Sequence, residues 1–132
     1  MIALLDTHSF LWAIIEPEKL SPRVRSAVAD TDNEIYVSTL TFWEVSLKYA
    51  LRKLELTGTT PEQLVDAAHA MALGIAAPSA EEAAGFHRLE RGAHKDPFDR
   101  MLVWLCLRRD WTLVSHDRAL ESYCSLGLRI FW

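Results

Sequence analysis

Five short apolar runs alternate along this chain with longer segments that begin with helix-capping residues, and this alternation restricts the fold more than any other feature. Runs this short, rich in Ile, Val and Leu and without polar alternation, are typical of strands covered on both faces. Strands that alternate with helices pair in parallel through right-handed crossovers. We therefore predict a three-layer α/β/α sandwich with a central, mainly parallel five-stranded sheet, its strands at 2–5, 35–38, 75–77, 112–115 and 128–131.

Four of the predicted helices begin with a recognisable capping signal. Each signal places a side-chain oxygen where it accepts a hydrogen bond from a free backbone N–H, and proline suits the first helical position. The signals are Ser21 before Pro22, Thr60 before Pro61 with Gln63, Ser79 with Glu82, and Asp96 before Pro97.

Composition narrows the class of protein. Half of the residues are hydrophobic and 24% are charged, which is typical of a globular chain, and we find no internal repeat or flexible linker, so we expect one domain over residues 1–132. The net charge of -4 disfavours a simple DNA-binding module. It disfavours a metallonuclease less, because acids gathered at one site lower the formal charge and bound cations reverse the local field.

Cysteine use and hydropathy indicate the compartment. Cys106 and Cys124 form no CxxC pair, and we expect both to be small core residues in a reducing environment. The N-terminus lacks the basic start of a signal peptide, and no apolar run has the length of a membrane span. We therefore expect a cytoplasmic protein without a membrane partner.

Three acidic residues follow predicted strands at the edge where parallel sheets bind ligands. Asp6 ends the first strand, Glu44 lies in the first turn of the helix after the second, and Asp117 comes two residues after Ser115. Asp99 is less direct, since no clear strand precedes its helix; it occupies the third helical position, where the helix dipole favours a carboxylate. Other acids precede strands, at the opposite edge, and we expect them to face solvent: Asp32, Glu34 and Asp110.

Structural roles compete with a catalytic role for most of these acids. Glu44 is three residues after Thr41, so the two can form a capping box, and Asp117 and Asp96 can each cap the helix that follows. Asp6 is harder to explain in this way. A carboxylate at the end of a buried apolar strand is costly unless it is paired, hydrogen-bonded or bound to metal.

Convergence of the acids favours a metal site. Arg118 is the one basic residue in the local motifs around Asp6, Glu44 and Asp117, so these carboxylates need a cation. A cluster of oxygen ligands without thiolates suits Mg²⁺ or Mn²⁺. Such ions most often serve phosphoryl chemistry, in which the metal lowers the pKa of a bound water and an acid accepts its proton.

Four fragments in order resemble one known family. They are Leu5-Asp6-Thr7-His8, Trp43-Glu44-Val45, His94-Lys95-Asp96-Pro97-Phe98-Asp99-Arg100 and Val114-Ser115-His116-Asp117-Arg118-Ala119-Leu120. Together they look like the PIN domain, specifically the VapC-like toxins of bacterial toxin–antitoxin pairs, and the resemblance covers essentially the whole chain. It implies an endoribonuclease that depends on Mg²⁺ or Mn²⁺. It also implies a homodimer that is held inactive by a small antitoxin, and RNA products with 5′-phosphate and 3′-hydroxyl ends.

The resemblance assigns roles to individual residues. Asp6, Glu44, Asp99 and Asp117 match the four acids of the family in order, with Asp6 and Asp99 as direct metal ligands and the other two bound directly or through water. Asp96 belongs to a DPFD variant of the motif, and an N-cap role is the better interpretation. Three hydroxyls can orient the acids: Thr7, Ser38 and Ser115. Thr7 and Ser38 can equally cap their adjacent helices.

Histidines and tryptophans flank the acids. His8 is two residues after Asp6, and His116 directly precedes Asp117, so both can contact phosphate. A structural role is the default for each. Trp12 and Trp43 lie on the helices that lead from site acids, where related toxins receive the antitoxin, and we expect both to be core residues.

Other classes remain as alternatives. One is a PIN-like RNA-processing nuclease without a toxin role. Another is a non-catalytic, Mg²⁺-binding module of the response-regulator type, but such a module has a lysine after a late strand, where this chain has Ser115, His116 and Asp117. A third is a phosphohydrolase with a DxD motif at the first strand, which the histidine at position 8 excludes.

Overall fold

The computed structural model describes residues 1–92 and 94–132, and a parallel five-stranded sheet lies at its centre. The order of the strands across the sheet is β3-β2-β1-β4-β5, and every adjacent pair is parallel. This confirms the predicted α/β class. The strands are β1 Ile2–Leu5, β2 Glu34–Ser38, β3 Gly74–Ala76, β4 Thr112–Val114 and β5 Arg129–Phe131.

Four of the helices begin where the capping signals predicted. Ser21, Thr60, Ser79 and Asp96 each accept a hydrogen bond from a backbone N–H in the first turn, and the Thr60 and Ser79 caps are complete capping boxes. The helices are α1 Thr7–Ile15, α2 Pro22–Ala29, α3 Thr39–Ala50, α4 Pro61–Ala70, α5 Ala80–Gly85 and α6 Pro97–Arg109. Short 3₁₀ segments are Pro17–Lys19, Phe86–Arg88 and Arg118–Leu126.

Each face of the sheet is covered by its own apolar core. Side chains alternate across β1, so Leu5 belongs to one core and Leu4 to the other. The first core is completed by Phe10 of α1 and Leu64 of α4, and the second by Leu102 of α6 and the 3₁₀ segment after β4. Because all of these side chains are buried, the sheet is sandwiched as the apolar strands predicted.

The connections of the sheet reverse direction beside β1. The chain moves from β1 outward through β2 and β3, and later returns to add β4 and β5 on the other side. Leu5 is in register with Val114, and the Asp6 N–H donates a 3.0 Å hydrogen bond to the Val114 carbonyl. Open α/β sheets form their ligand crevice at this kind of switch point. The loops after β1 and β4 are therefore placed side by side at the candidate site.

Two expectations about buried residues are wrong. Cys106 is buried as predicted, but Cys124 is exposed. Trp43 is 61% exposed on the outer face of α3, where its ring meets Phe98 edge-on at 5.2 Å between ring centroids. The spacing of apolar residues did not distinguish Cys124 and Trp43 from core positions, because both lie on amphipathic segments whose outer faces also carry apolar residues. Across the described ranges, no helix has the length and hydropathy to cross a membrane.

Candidate active site

Asp6 is both a buried acid and a helix cap. Its side chain is placed by the end of β1 and accepts a 2.8 Å hydrogen bond from the Ser9 N–H at the start of α1. The residue is 5% exposed. Burial raises the pKa of Asp6, while hydrogen bonds from Ser115 and Ser9 act in the opposite direction. This capping role was not predicted, although Asp followed by a helix is a common N-cap signal.

Glu44 lies deeper in the protein than its sequence position indicated. It is the sixth residue of α3, in the second turn rather than the first, and it is 2% exposed. The alternative role of Glu44 in a capping box with Thr41 is wrong, because Ser38 is the N-cap of α3 and the helix begins at Thr39. Thr7 Oγ1 donates a 2.7 Å hydrogen bond to Glu44 Oε1 and so links the start of α1 to α3.

Lys48 supplies a cation to Glu44 that was not predicted, because it lies outside the short motif around that acid. It lies one helical turn after Glu44 and forms a hydrogen-bonded salt bridge with the second carboxylate oxygen. Burial lowers the pKa of Lys48, but its hydrogen bond to Glu44 and the charges of Glu44, Asp96 and Asp99 outweigh burial, so the pKa is raised. The four-residue helical spacing of an acid and a lysine was the available signal.

Asp99 lies at the centre of the negative charge. It is the third residue of α6, as predicted, and its side chain is 21% exposed. Burial and the nearby carboxylates of Asp96, Glu44 and Asp6 raise the pKa of Asp99 to about 7, against an opposing effect of His94. The structure therefore brings Asp6, which follows β1, and Glu44 of α3 close enough to Asp99 of α6 for their charges to repel.

His94 joins Asp99 to Asp117, and its role was not predicted. Its Nε2 lies 3.2 Å from Asp99 Oδ2 and 3.0 Å from Asp117 Oδ2. Its Nδ1 accepts a 3.3 Å hydrogen bond from the Asp96 N–H. The available signal was that His94 stands in the same short motif as Asp96 and Asp99.

The remaining predicted residues divide between the site and the helix ends. Asp117 is more exposed than the other acids and accepts a 2.9 Å hydrogen bond from the Ala119 N–H, so its predicted capping role is confirmed. The Ser115 hydroxyl accepts a 3.1 Å hydrogen bond from the Asp117 N–H and also contacts Asp6. Ser38 and Asp96 act as N-caps, with acceptor distances of 3.1 Å to Leu40 N and 2.9 Å to Phe98 N.

A family model for the PIN domain matches residues 3–126, which include all of these acids. This chain belongs to the PIN domain family. The short motifs and the match over nearly the whole sequence therefore indicate the same family.

Several known proteins are similar to this PIN domain. Ribonuclease VapC22 of Mycobacterium tuberculosis is 28% identical over 121 residues, which cover 91% of this chain and 90% of that protein. The crystal structure of VapBC2 from Rickettsia felis bound to a DNA fragment from their promoter has a chain with a TM-score of 0.73 and 18% identity, covering 99% and 98% of the two chains. FitAcB from Neisseria gonorrhoeae has a TM-score of 0.64 and 21% identity, covering 100% and 97%. At these identities the two structures establish the shared fold.

The donor atoms of this PIN domain suit a hard divalent cation. Asp6, Glu44 and Asp99 present carboxylate oxygens without a thiolate, and such sets favour Mg²⁺ or Mn²⁺. One ligand atom each from His94, Asp99 and Asp117 lies within 4.8 Å of the others. The raised pKa of Asp99 gives the physical reason for the fit, because a bound cation would relieve the repulsion that disfavours its ionised form.

Proposed function

We propose that this chain is a metal-dependent endoribonuclease that acts as the toxin of a toxin–antitoxin pair. The observation that carries the proposal has two parts: burial and the charges of Asp96, Glu44 and Asp6 raise the pKa of Asp99 to about 7, and His94 joins Asp99 to Asp117. Glu44 is paired with Lys48, whereas Asp6 and Asp99 form no salt bridge with a lysine or arginine among the described residues, and unpaired buried carboxylates are costly. Family membership and the ribonuclease name of one relative support the assignment of RNA as the substrate.

We assign the metal to the four acids. Asp6 and Asp99 would hold the ion, with Glu44 and Asp117 bound to it directly or through water. When bound, Mg²⁺ or Mn²⁺ lowers the pKa of a coordinated water and neutralises charge on the scissile phosphate.

The side chains around the acids hold the reactive geometry. Thr7 and Lys48 occupy the two oxygens of Glu44 and fix the orientation of its carboxylate. Ser115 contacts Asp6 and the Asp117 backbone and so couples the first and fourth acids. In our proposal, a site carboxylate accepts a proton from the attacking water, and the water oxygen attacks phosphorus in line. The bond from phosphorus to the 3′-oxygen breaks, and that oxygen takes up a proton, so the products are a 5′-phosphate and a 3′-hydroxyl.

Partners are inferred from the relatives and from one exposed surface. The names VapBC2 and FitAcB each combine two proteins. We infer a small antitoxin partner and a homodimer for this chain. Trp43 and Leu47 of α3 and Leu51, which follows the helix, are exposed at helical spacing. Such a row of exposed apolar side chains suits a protein interface. We also infer a cytoplasmic location, where such a toxin meets RNA.

The test of catalysis is an Asp6→Asn variant. Asparagine caps helices as well as aspartate does, so the variant keeps the cap of α1 and removes the charge. We expect it to lose Mg²⁺- or Mn²⁺-dependent cleavage of RNA while its thermal unfolding stays cooperative. Asp30→Asn is the matched control, because the Asp30 carboxylate also accepts a backbone N–H, at 2.9 Å, but is exposed and remote from the site. Full cleavage by Asp6→Asn would refute the mechanism.

The test of the toxin role is growth. We expect expression of the wild-type chain alone to arrest growth and expression of the Asp99→Asn variant to permit it. Equal toxicity of the two chains at equal protein level would remove Asp99 from the catalytic set. Active cleavage in vitro without growth arrest would instead indicate an RNA-processing PIN nuclease.

A further inference from the structure

A group of aromatic side chains lies beside the candidate site without a role in the proposed reaction. We call His8, Trp12, His116 and Trp132 the aromatic platform. His116 and Trp132 are stacked, with ring centroids 4.8 Å apart and an interplanar angle of 29°. Trp12 meets Trp132 edge-on at 5.8 Å and lies 6.4 Å from His116. His8 is 5.9 Å from Trp12.

The platform has accessible ring surface. His8 and His116 are exposed, and Trp12 and Trp132 are half-buried, with their inner sides packed on the core. Aromatic rings contribute most to packing when they are buried, because their large apolar area then leaves water. Here the inner rings are fixed by packing while the histidine rings remain free to contact a ligand.

A cavity joins the platform to the candidate active site. Its volume is about 450 Å³, and its lining includes Ser115, His116, Asp117 and Trp132. Ser115 and Asp117 contact or belong to the acidic site, whereas His116 and Trp132 belong to the platform. A ligand in this cavity therefore contacts the stacked rings and Asp117 together.

Cationic side chains border the same surface. Arg23 and Arg118 line the cavity, and Arg23 lies over the ring of Phe131 at 4.6 Å. Lys19 lies 6.0 Å from the centre of the Trp12 ring. Within the part of the chain that the structure describes, neither arginine forms a salt bridge, although Glu121 also lines the cavity. Aromatic rings with adjacent cations are the arrangement that binds single-stranded nucleic acid.

We propose that the aromatic platform binds an unstacked base of single-stranded RNA next to the scissile phosphate, with His116 and Trp132 as the stacking surface and Arg23 and Arg118 on the flanking backbone. This subsite rests on the proposed ribonuclease function and adds to it the residues that hold a base beside the cleaved bond. Stacking accepts every base because each has a π-face, so the subsite selects single strands rather than a sequence. The continuity of the cavity with Asp117 and the two arginines favour RNA over a protein partner on this surface.

Binding in EDTA tests the subsite without cleavage. The probe is a short fluorescein-labelled single-stranded RNA of mixed sequence, and its fluorescence anisotropy is titrated with wild type, His116→Ala and Trp132→Ala. Loss of one base–aromatic stack is expected to weaken binding about 5- to 150-fold. Tyr49→Ala is the matched control, because Tyr49 is an exposed aromatic near the far end of α3, and it should bind as wild type does.

A second probe separates stacking from a structural effect. An RNA of the same length with abasic nucleotides keeps the phosphates and lacks the bases. Wild type should bind this probe as weakly as the alanine variants bind the normal RNA, and the variants should bind both RNAs equally. His116→Phe, which keeps a ring, should recover most of the affinity. Arg118→Gln should lower the slope of log affinity against log salt by about 0.7, the value for one phosphate contact on a single strand.

Three results would overturn the subsite. They are wild-type affinity for RNA in both alanine variants, equal affinity of wild type for normal and abasic RNA, and loss of a protein partner with unchanged RNA binding. Failure of the proposed function is visible separately, as absence of Mg²⁺- or Mn²⁺-dependent cleavage by a wild-type chain that still binds RNA in EDTA.

Discussion

Thr7 Oγ1 donates a 2.7 Å hydrogen bond to Glu44 Oε1, although 37 residues separate the two in the sequence. Both residues are buried, so the hydroxyl takes the place of a water in solvating the carboxylate. Thr7 follows Asp6, and the same bond therefore fixes the distance between the first and second acids.

We predict that Thr7→Val destabilises the protein by about 1–3 kcal/mol, because it leaves an oxygen of a buried carboxylate without its donor. Val matches the shape of Thr, so the change isolates the hydroxyl. The free energy of unfolding in urea measures the effect. Thr7→Ser keeps the hydroxyl and is the control; if the Val variant is as stable as the Ser variant, Thr7 does not hold Glu44.

Lys48→Met should also destabilise the metal-free protein. The methionine keeps the apolar stem but removes the cation from Glu44, which is 2% exposed and faces other acids. Loss of one partner of a buried pair costs several kcal/mol, and the 37% exposure of the lysine side chain reduces our expectation to about 1–3 kcal/mol. Thermal unfolding in EDTA measures it. Lys53→Met, at an exposed lysine after α3, should have little effect.

Asp99→Asn should stabilise the metal-free protein and abolish its stabilisation by metal. The ionised carboxylate is disfavoured by burial and by Asp96, Glu44 and Asp6, so an uncharged amide should raise the free energy of unfolding in EDTA by roughly 1–2 kcal/mol. Mg²⁺ at 100 times its dissociation constant should stabilise wild type by about 2.7 kcal/mol and the variant much less. Equal stabilisation of both proteins by Mg²⁺ would place the ion elsewhere.

Glu82 provides a pH-dependent contribution far from the site. Arg109 donates to both of its carboxylate oxygens, at 2.8 and 2.6 Å, and these bonds lower the pKa of Glu82 to about 2 from an ordinary value of 4.5. The folded pKa is the lower one, so the stabilisation is complete above pH 4.5 and is lost as pH falls through 2.

Glu82→Gln should therefore cost about 1 kcal/mol at neutral pH, and the difference from wild type should shrink as the pH falls towards 2. Glutamine preserves the capping box with Ser79, so the charge is the property that changes. Urea unfolding at a series of pH values measures the difference. Asp110→Asn removes an exposed pair with Arg129 and should show almost no such dependence.

Much of the fold was predictable because its signals are local. The apolar runs placed all five strands to within a residue or two at each end, and the capping residues placed the starts of α2, α4, α5 and α6. Capping depends on atoms within one helical turn, so a single sequence contains the information. The depth of Glu44 was not predictable in this way, because Ser38, rather than Thr41, caps α3.

The contacts within the candidate site were less predictable, because they join distant segments. His94 contacts Asp99 and Asp117 only after α6 and the loop after β4 are packed together. Lys48 binds Glu44 and is also close enough to Asp96 and Asp99 for their charges to raise its pKa. The catalytic roles of the acids stay predictions until the variants above are measured.

The sequence by itself determined the α/β class, the strands, most helix starts and the set of acids at strand ends, since hydrophobic period and capping act over a few residues. Only the tertiary structure decided the strand order β3-β2-β1-β4-β5, and with it the meeting of Asp6 with Ser115 and of Thr7 with Glu44. The physical reason is that electrostatic repulsion and burial depend on distance in space. Burial raises the pKa of Asp99 most, and the acids that add to it are Asp96 at the N-cap of α6, Glu44 on α3 and Asp6 after β1. Glu44 and Asp6 are distant from Asp99 in the sequence, so only the folded structure brings them near it.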